Sequence, residues 1–380
     1  MSQEQRNQDS IDHWHMQRAL DLARHGQGCV EPNPMVGCVV ARGAEIVGEG
    51  WHRRFGKEHA EVEALHIAGP RAAGATLYVT LEPCCHYGKT PPCSHAIIAA
   101  RVGRVVAAMR DPFTKVDGGG LRELMAAGIE ASVGLMEAEA QELNAPYLKL
   151  LAIGRPWVIA KWAMTLDGKI ATRTGASRWI SGECSRKRVH SIRGRVDAIL
   201  VGRGTVEADD PLLTARPPGP RTALRVVADT QARISPQCKL LQTARETPVL
   251  IAVGEEATAE SCDRLRGLGC EVFPMVGKTP GERLLSLLDE FGKRRMTNIL
   301  VEGGSRLLGS LADGDLIDEM HVFVAPKIFG GHGAPGPVGG CGVAQVANAL
   351  RLRKPHWELL EDDLYLYGRV QRAAETGMPK

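Results

Sequence analysis

Residues 59–61 read His-Ala-Glu, and residues 83–93 read Pro-Cys-Cys-His-Tyr-Gly-Lys-Thr-Pro-Pro-Cys. One imidazole, His59, and two thiolates, Cys84 and Cys93, form a donor set of the softness that zinc takes. A fourth corner left to water marks a catalytic site, because zinc lowers the pKa of a bound water toward about 7. Glu61 stands where a helix should begin, two residues beyond His59. There it can sit beside the water without binding the metal, which is where a proton shuttle must be. A fourth protein ligand, Cys85 or His86, would instead make the site structural.

The rest of the first half reads as alternating helices and strands. Helices are expected over His13–Arg24, His59–Ala68, Cys93–Arg101, Gly119–Ala127 and Glu137–Leu151. Strands are expected over Met35–Ala41 and Glu45–Gly50, joined at Arg42-Gly43, then Thr76–Leu81, Val105–Met109 and Ile129–Gly134. That alternation predicts a layered α/β domain over 13–152, after a polar leader over 1–12. Ile153-Gly154-Arg155-Pro156 is a boundary. A second α/β series over 156–380 follows, interrupted at 330–342 by seven Gly and two Pro, which predicts a mobile loop.

Composition bounds the function. In 380 residues there are 47 Lys and Arg against 44 Asp and Glu, and aromatic residues make up 4%. That is too balanced and too poor in stacking rings for a nucleic-acid coat. Residues 1–150 carry a net −3 and residues 151–380 a net +6, and a mildly cationic second half suits phosphate-bearing small molecules. No run of 18 apolar residues predicts a membrane helix. Ten cysteines in a long chain without an apolar leader argue for a cytoplasmic protein rather than a disulfide framework.

Zinc deaminases combine H-x-E with P-C…C, normally with two residues between the cysteines. Here eight residues separate Cys84 from Cys93. With that longer loop, HAEVEAL and TLEPCCHYGKTPPC resemble the pyrimidine deaminase of riboflavin biosynthesis. That family usually has Ser at the position of Cys85; the spacing to Cys93 and the preceding Pro83 favour Cys84 as the ligand. In the second half, 161–169 (KWAMTLDGK), 177–180 (SRWI), 201–214 (VGRGTVEADDPLLT) and 301–305 (VEGGS) are similar to the riboflavin-pathway reductase. The resemblance spans nearly all of residues 12–372. It implies a cytidine-deaminase-like three-layer α/β/α domain followed by a dihydrofolate-reductase-like α/β domain that uses NADPH.

The resemblance implies site residues too. Asn33 would contact the pyrimidine, with His52, His86 and Lys89 near the ribose phosphate. Ala163, Trp179, Thr205, Asp209, Thr230 and the segment Gly304, Ser305, Arg306, Leu307, Leu308, Gly309 and Ser310 would line the NADPH site. Lys161, Ser177, Arg193, Leu213, Arg216 and Glu302 would face the reductase substrate. Arg193 and Arg216 would act as phosphate clamps, and Lys161 and Asp209 would assist proton transfer. The implied substrate is 2,5-diamino-6-ribosylamino-4(3H)-pyrimidinone 5′-phosphate, deaminated at C2 and then reduced at C1′. A homo-oligomer, dimer or tetramer, is expected, with no nucleic-acid or membrane partner. The alternative is a zinc nucleoside or tRNA deaminase with an accessory second domain, or, outside catalysis, a zinc-stabilised scaffold.

Overall fold

The structure is a computed structural model and describes residues 3–371; residues 1–2 and 372–380, the ends of the expected leader and second domain, lie outside them. The chain divides into two compact units, the first ending at Ile153 and the second beginning at Gly154.

The first unit carries strands β1 (Gly37–Arg42), β2 (Glu45–Trp51), β3 (Thr76–Val79), β4 (Arg104–Ala107) and β5 (Glu130–Val133), in the order β2-β1-β3-β4-β5. β1 is antiparallel to β2 and β3, while β3, β4 and β5 run parallel. Its helices are α1 (Gln3–Ala23), α2 (Ala60–Ala68), α3 (Cys93–Ala99), α4 (Gly119–Ala126), α5 (Glu137–Leu143) and α6 (Ala145–Ile153). Alternate strand residues face opposite ways. Cys38, Val40, Leu77, Val79 and Val105 pack with residues of α2, α3 and α4. Val39, Tyr78 and Val106 pack with α1 and α5 on the other face. This is the three-layer arrangement expected.

Glycine brings the sheet and the site helix together. A Cβ at Gly48 would lie 2.2 Å from the Ala64 carbonyl oxygen, and one at Gly50 would lie 2.5 Å from that of Ala60. Helix α2 therefore rests directly on β2, and its first turn, with Glu61, is held against the sheet.

Two expectations in this unit change. The polar leader is helical from Gln3, so α1 runs through it. The helix continues because Asp12 is a buried anchor: its carboxylate accepts from Tyr78 Oη at 2.7 Å and from Arg104 Nη2 at 2.7 Å. The single helix expected over Glu137–Leu151 is two helices, broken at Asn144. The Asn144 amide is buried and bonds both backbone groups of Met35, accepting at 2.8 Å and donating at 3.0 Å.

The second unit carries β6 (Trp157–Thr165), β7 (Ala198–Gly202), β8 (Leu224–Ala228), β9 (Val249–Val253), β10 (Glu271–Pro274), β11 (Asn298–Val301), β12 (Glu319–Ala325), β13 (Leu352–Leu360) and β14 (Asp363–Val370). Their order is β10-β9-β8-β7-β11-β6-β12-β14-β13. The sheet is parallel from β10 to β12 and antiparallel through β14 and β13. Helices α7 (Glu183–Arg193), α8 (Arg203–Asp209), α9 (Lys239–Gln242) and α10 (Ala259–Gly267) supply one core, and α11 (Pro280–Lys293) and α12 (Ser305–Asp313) the other. Strand β13 is a mostly exposed edge strand containing Pro355, with no apolar alternation by which a strand could be read from the sequence. The Gly-rich stretch 330–342 holds neither helix nor strand, but it is tied at both ends. Asp167 accepts from the Phe329 and Gly330 N–H groups, and Asp313 from those of Cys341 and Gly342.

Replacing Asn144 with Ala strands two buried backbone groups of Met35. We expect Asn144→Ala to destabilise the first unit by about 2 kcal/mol, read by denaturant unfolding, because unmet buried polar groups cost about that much.

Candidate active site

His59 is the N-cap of α2, and Cys93 is the first residue of α3. Cys84 lies on the loop after Pro83. Its carbonyl accepts from Ser94 N–H at 3.1 Å, and its sulfur accepts from Cys93 N–H at 3.4 Å. His59 Nδ1 stands 3.2 Å from Cys93 Sγ and 3.5 Å from Cys84 Sγ, and all three donor atoms lie within 4.8 Å of one another. Donors bound to one zinc at about 2.0–2.3 Å must be about 3.5 Å apart, so the set fits that ion. Thr90 Oγ1 lies 3.5 Å from His59 Nε2, while Nδ1 faces the two sulfurs.

The electrostatics agree with this fit. A hydrogen bond with Cys93 and the neighbouring His59 draw the Cys84 thiol well below its usual range, while Cys93 is pushed up in return. A cation at this point would favour both sulfurs as thiolates. Glu61 is 3% exposed, and its Oε2 is buried without a hydrogen-bond partner. Burial raises its carboxyl to about 7, with His59 opposing and Cys84 adding to the rise. An orphaned carboxylate oxygen beside a zinc-type donor set fits a water molecule bound between them.

Asn33 and His52 lie at this centre as well. The His52 ring is 5.3 Å from that of His59. His52 Nδ1 donates to the Glu58 carbonyl at 2.9 Å, so its Nε2, 3.4 Å from Asn33 Nδ2, accepts from that amide. Burial lowers the His52 pKa. A neutral ring with both nitrogens engaged supports the Asn33 amide. Lys89 is exposed, its Nζ 3.9 Å over the Phe55 ring. His86 packs against Phe113 at 5.7 Å, with Nδ1 buried and unbonded.

Sequence reasoning missed Glu82. It is buried and accepts from the N–H groups of Gly118, Leu121 and Asp111 at 3.0, 3.2 and 3.4 Å. It thereby ties the chain just before Cys84 to the entry of α4. Its adjacency to Pro83-Cys84 was the available signal. Cys85 points away, toward the Lys115 carbonyl at 3.6 Å.

The second unit has a cleft of about 1530 Å³. Ala163, Trp179, Thr205, Asp209, Thr230, Gly304, Ser305, Arg306, Leu307 and Ser310 line it, as do Lys161, Ser177, Arg193, Leu213, Arg216 and Glu302. Leu308 and Gly309 do not. Leu308 is fully buried in the core, and a Cβ at Gly309 would fall 2.3 Å from the Gly339 backbone. Both were placed by their segment, yet on a helix only one face meets the cleft. The Leu213 side chain belongs to the core, so what it presents to the cleft is backbone.

Glu302 organises one end of this cleft. It receives Arg193 Nε and Nη2 at 2.5 and 2.9 Å, and Lys161 Nζ lies 3.6 Å away. The Arg193 fork is thus held by a protein carboxylate, unlike a free phosphate clamp, whereas Arg216 stands exposed along the cleft. Burial alone would raise the Glu302 carboxyl; Arg193 and Lys161 reverse that and hold it at about 2. Burial lowers the Lys161 pKa, against the pull of Glu302. Ser177 Oγ donates to Asp209 Oδ1 at 2.5 Å. Lys327, also missed, donates to the Trp179 and Ile180 carbonyls at 2.8 and 2.7 Å and secures that wall. The turn into α12 leaves a cradle: a Cβ at Gly304 would enter the cleft 3.4 Å from Thr205 Oγ1. Free N–H groups at a helix start suit a dinucleotide phosphate.

The profile of the cytidine and deoxycytidylate deaminase zinc-binding region matches residues 9–109, and that of the RibD C-terminal domain matches residues 156–366. Fold and site together define a zinc-binding deaminase joined on one chain to an NADPH-dependent reductase. The riboflavin biosynthesis protein RibD of Actinobacillus pleuropneumoniae is 40% identical over 352 residues, 93% of this chain and 93% of that one. Its Escherichia coli K12 counterpart is 42% identical over 333 residues, 84% and 89% of the two chains. The solved structure of Acinetobacter baumannii RibD is similar with a TM-score of 0.84 at 34% identity, covering 96% of this chain and 100% of that one. A Thermotoga maritima diaminohydroxyphosphoribosylaminopyrimidine deaminase/5-amino-6-(5-phosphoribosylamino)uracil reductase gives 0.80 at 32% identity, covering 96% and 99%. The chain belongs to the RibD family of bifunctional riboflavin biosynthesis enzymes.

Glu302 supplies a prediction for acid stability. Its folded pKa is depressed, so its contribution is complete above the ordinary carboxylate value of 4.5 and is lost as pH falls toward 2. Wild-type β6 and β11 should lose hydrogen-exchange protection between about pH 5 and pH 3, a slope that Glu302→Gln flattens. At neutral pH that variant should cost about 3 kcal/mol, since two cations stay buried without their anion.

Proposed function

We propose that the chain carries out two consecutive reactions on one phosphoribosyl pyrimidine. The first is hydrolytic deamination of 2,5-diamino-6-ribosylamino-4(3H)-pyrimidinone 5′-phosphate. The second is reduction of the ribosyl side chain, giving 5-amino-6-(5-phosphoribitylamino)uracil. The observation that carries the first step is the buried, unpartnered Oε2 of Glu61 beside three converging zinc-type donors.

His59, Cys84 and Cys93 would hold the zinc ion, which would supply Lewis-acid activation of water. Glu61, buried with Oε2 free of any hydrogen bond, would take a proton from that water and hand it to the departing amine. The Asn33 amide, steadied by His52, both donates and accepts and so reads the pyrimidine edge. Lys89, exposed on the loop before Cys93, provides the cation for the substrate phosphate.

In the second unit NADPH supplies the hydride for C1′. The wall of Trp179 and Thr205 and the Gly304 turn bind and orient the dinucleotide. Lys161, made more acidic by burial, delivers the proton when the ribosyl ring opens, and Glu302 keeps it in place. Arg216 grips the substrate phosphate. The partner is a small molecule, and among the described residues no helix is long and apolar enough to cross a membrane. Cytoplasmic location, self-association as a dimer or tetramer, and the absence of a nucleic-acid partner complete the reading. Weak net charge and few aromatics support the last of these.

Glu61→Gln should reduce ammonia release at least a thousandfold while leaving NADPH oxidation on the deaminated intermediate intact; loss of both would count against two independent sites. Arg216→Ala should raise the reductase KM for the phosphoribosyl substrate at least tenfold and leave the KM for NADPH within twofold. Equal rises would remove Arg216 as the phosphate clamp.

A further inference from the structure

The parallel strands of the second unit end in a row along the cleft. Across β9, β8, β7, β11 and β6 the row spans about 19 Å at the usual strand spacing. At the β6 and β11 end stand Lys161 and Glu302, where the reading above puts the reacting carbon. The Gly304 turn, suited to the pyrophosphate, follows β11. The far end, past β8 and β9, is therefore where the adenosine half of an extended dinucleotide arrives.

That far end has its own cluster. Thr230 follows β8, Gly254 follows β9, and Arg283 reaches in from the first turn of α11; Thr230, Glu256 and Arg283 all line the cleft. A Cβ at Gly254 would lie 2.3 Å from Glu256 Oε2 and 3.1 Å from both Thr230 Cβ and Arg283 Nη1, so the three side chains converge on one point. Arg283 meets Glu256 through Nη1 alone, at 2.9 and 3.2 Å, while Nη2 reaches the Lys278 carbonyl at 3.3 Å. Its Nε is buried without a hydrogen-bond partner. The Arg283 side chain is 17% exposed and that of Glu256 is 48% exposed. A largely buried guanidinium is thus paired, through one nitrogen alone, with a half-exposed acid, and a donor is left over. Such a pair is weak and exchangeable. A phosphate, taken by two nitrogens at once, satisfies the fork better. Arg203, the neighbouring cation, is already engaged by Glu207 at 2.7 Å and lies 3.5 Å from Asp229.

We propose that Arg283 reads the 2′-phosphate that distinguishes NADPH from NADH, with the Thr230 hydroxyl beside it and Glu256 as the counter-ion that the phosphate displaces. The assignment rests on the dinucleotide reading of the cleft. Glu256 also works against misbinding: where the 2′-position bears only hydroxyl, it keeps Arg283 and nothing is gained.

The test uses the full chain and calorimetric titration with 2′,5′-ADP and with 5′-AMP. The wild type should bind 2′,5′-ADP at least tenfold tighter than 5′-AMP. Arg283→Gln should lose that difference while holding 5′-AMP as before, and its KM should rise at least tenfold for NADPH but not for NADH. Glu256→Gln, which keeps the guanidinium in place, should bind 2′,5′-ADP at least twofold tighter. Preference for 2′,5′-ADP retained in Arg283→Gln, or 2′,5′-ADP binding unchanged or weakened in Glu256→Gln, would overturn the assignment. If the wild type bound neither nucleotide and did not oxidise NADPH, the dinucleotide reading itself would fall, which separates the two failures.

Discussion

Three soft donors brought to one point at the starts of two helices govern the first half of this molecule. His59 caps α2, Cys93 opens α3, and Cys84 is fastened to that opening through its carbonyl and its sulfur. Helix N-termini stabilise negative charge, and the Cys84 sulfur takes the first N–H of α3. Everything nearby serves that meeting point. Gly48 and Gly50 let α2 lie on the sheet, Glu82 anchors the loop before Cys84, and Thr90 stands beside the outer nitrogen of His59. Glu61 is then left buried beside this point with Oε2 free of any hydrogen bond.

The second half solves a different electrostatic problem. One carboxylate, Glu302, stands between two cations in its cleft, and on the proposed reading one of those cations is the proton donor. Glu302 fixes Arg193 and Lys161 at the reacting end, so the guanidinium acts through position and field. On the reading proposed above, phosphate goes to cations that are exposed or weakly paired, Arg216 and Arg283. The division follows from desolvation: a buried cation needs a permanent anion, whereas a ligand-binding one must be able to exchange its partner.

Legibility in the sequence followed the range of the interactions. The H-x-E and P-C…C strings are local, so the donor set and Glu61 were readable before any fold, and strand–helix alternation carried the two α/β units. What escaped depends on residues far apart in the chain. The partner of Arg193 is 109 residues away, and Asn144 breaks its helix to bond Met35, also at a separation of 109. Leu308 and Gly309 were placed by segment although the helix turns them inward. The neutral, doubly bonded state of His52 requires knowing where Glu58 and Asn33 lie. Strand β13 has no buried face to leave a pattern.

The claim on which most rests is that zinc here has three protein ligands and one from solvent. X-ray absorption at the zinc edge of the zinc-loaded protein reads this shell directly. The account predicts two sulfurs and two lighter atoms, one being the imidazole nitrogen of His59 and one a solvent oxygen that Glu61→Gln leaves in place. A third sulfur, with Cys85 drawn into the shell, or a second imidazole from His86, would close the fourth corner and contradict it.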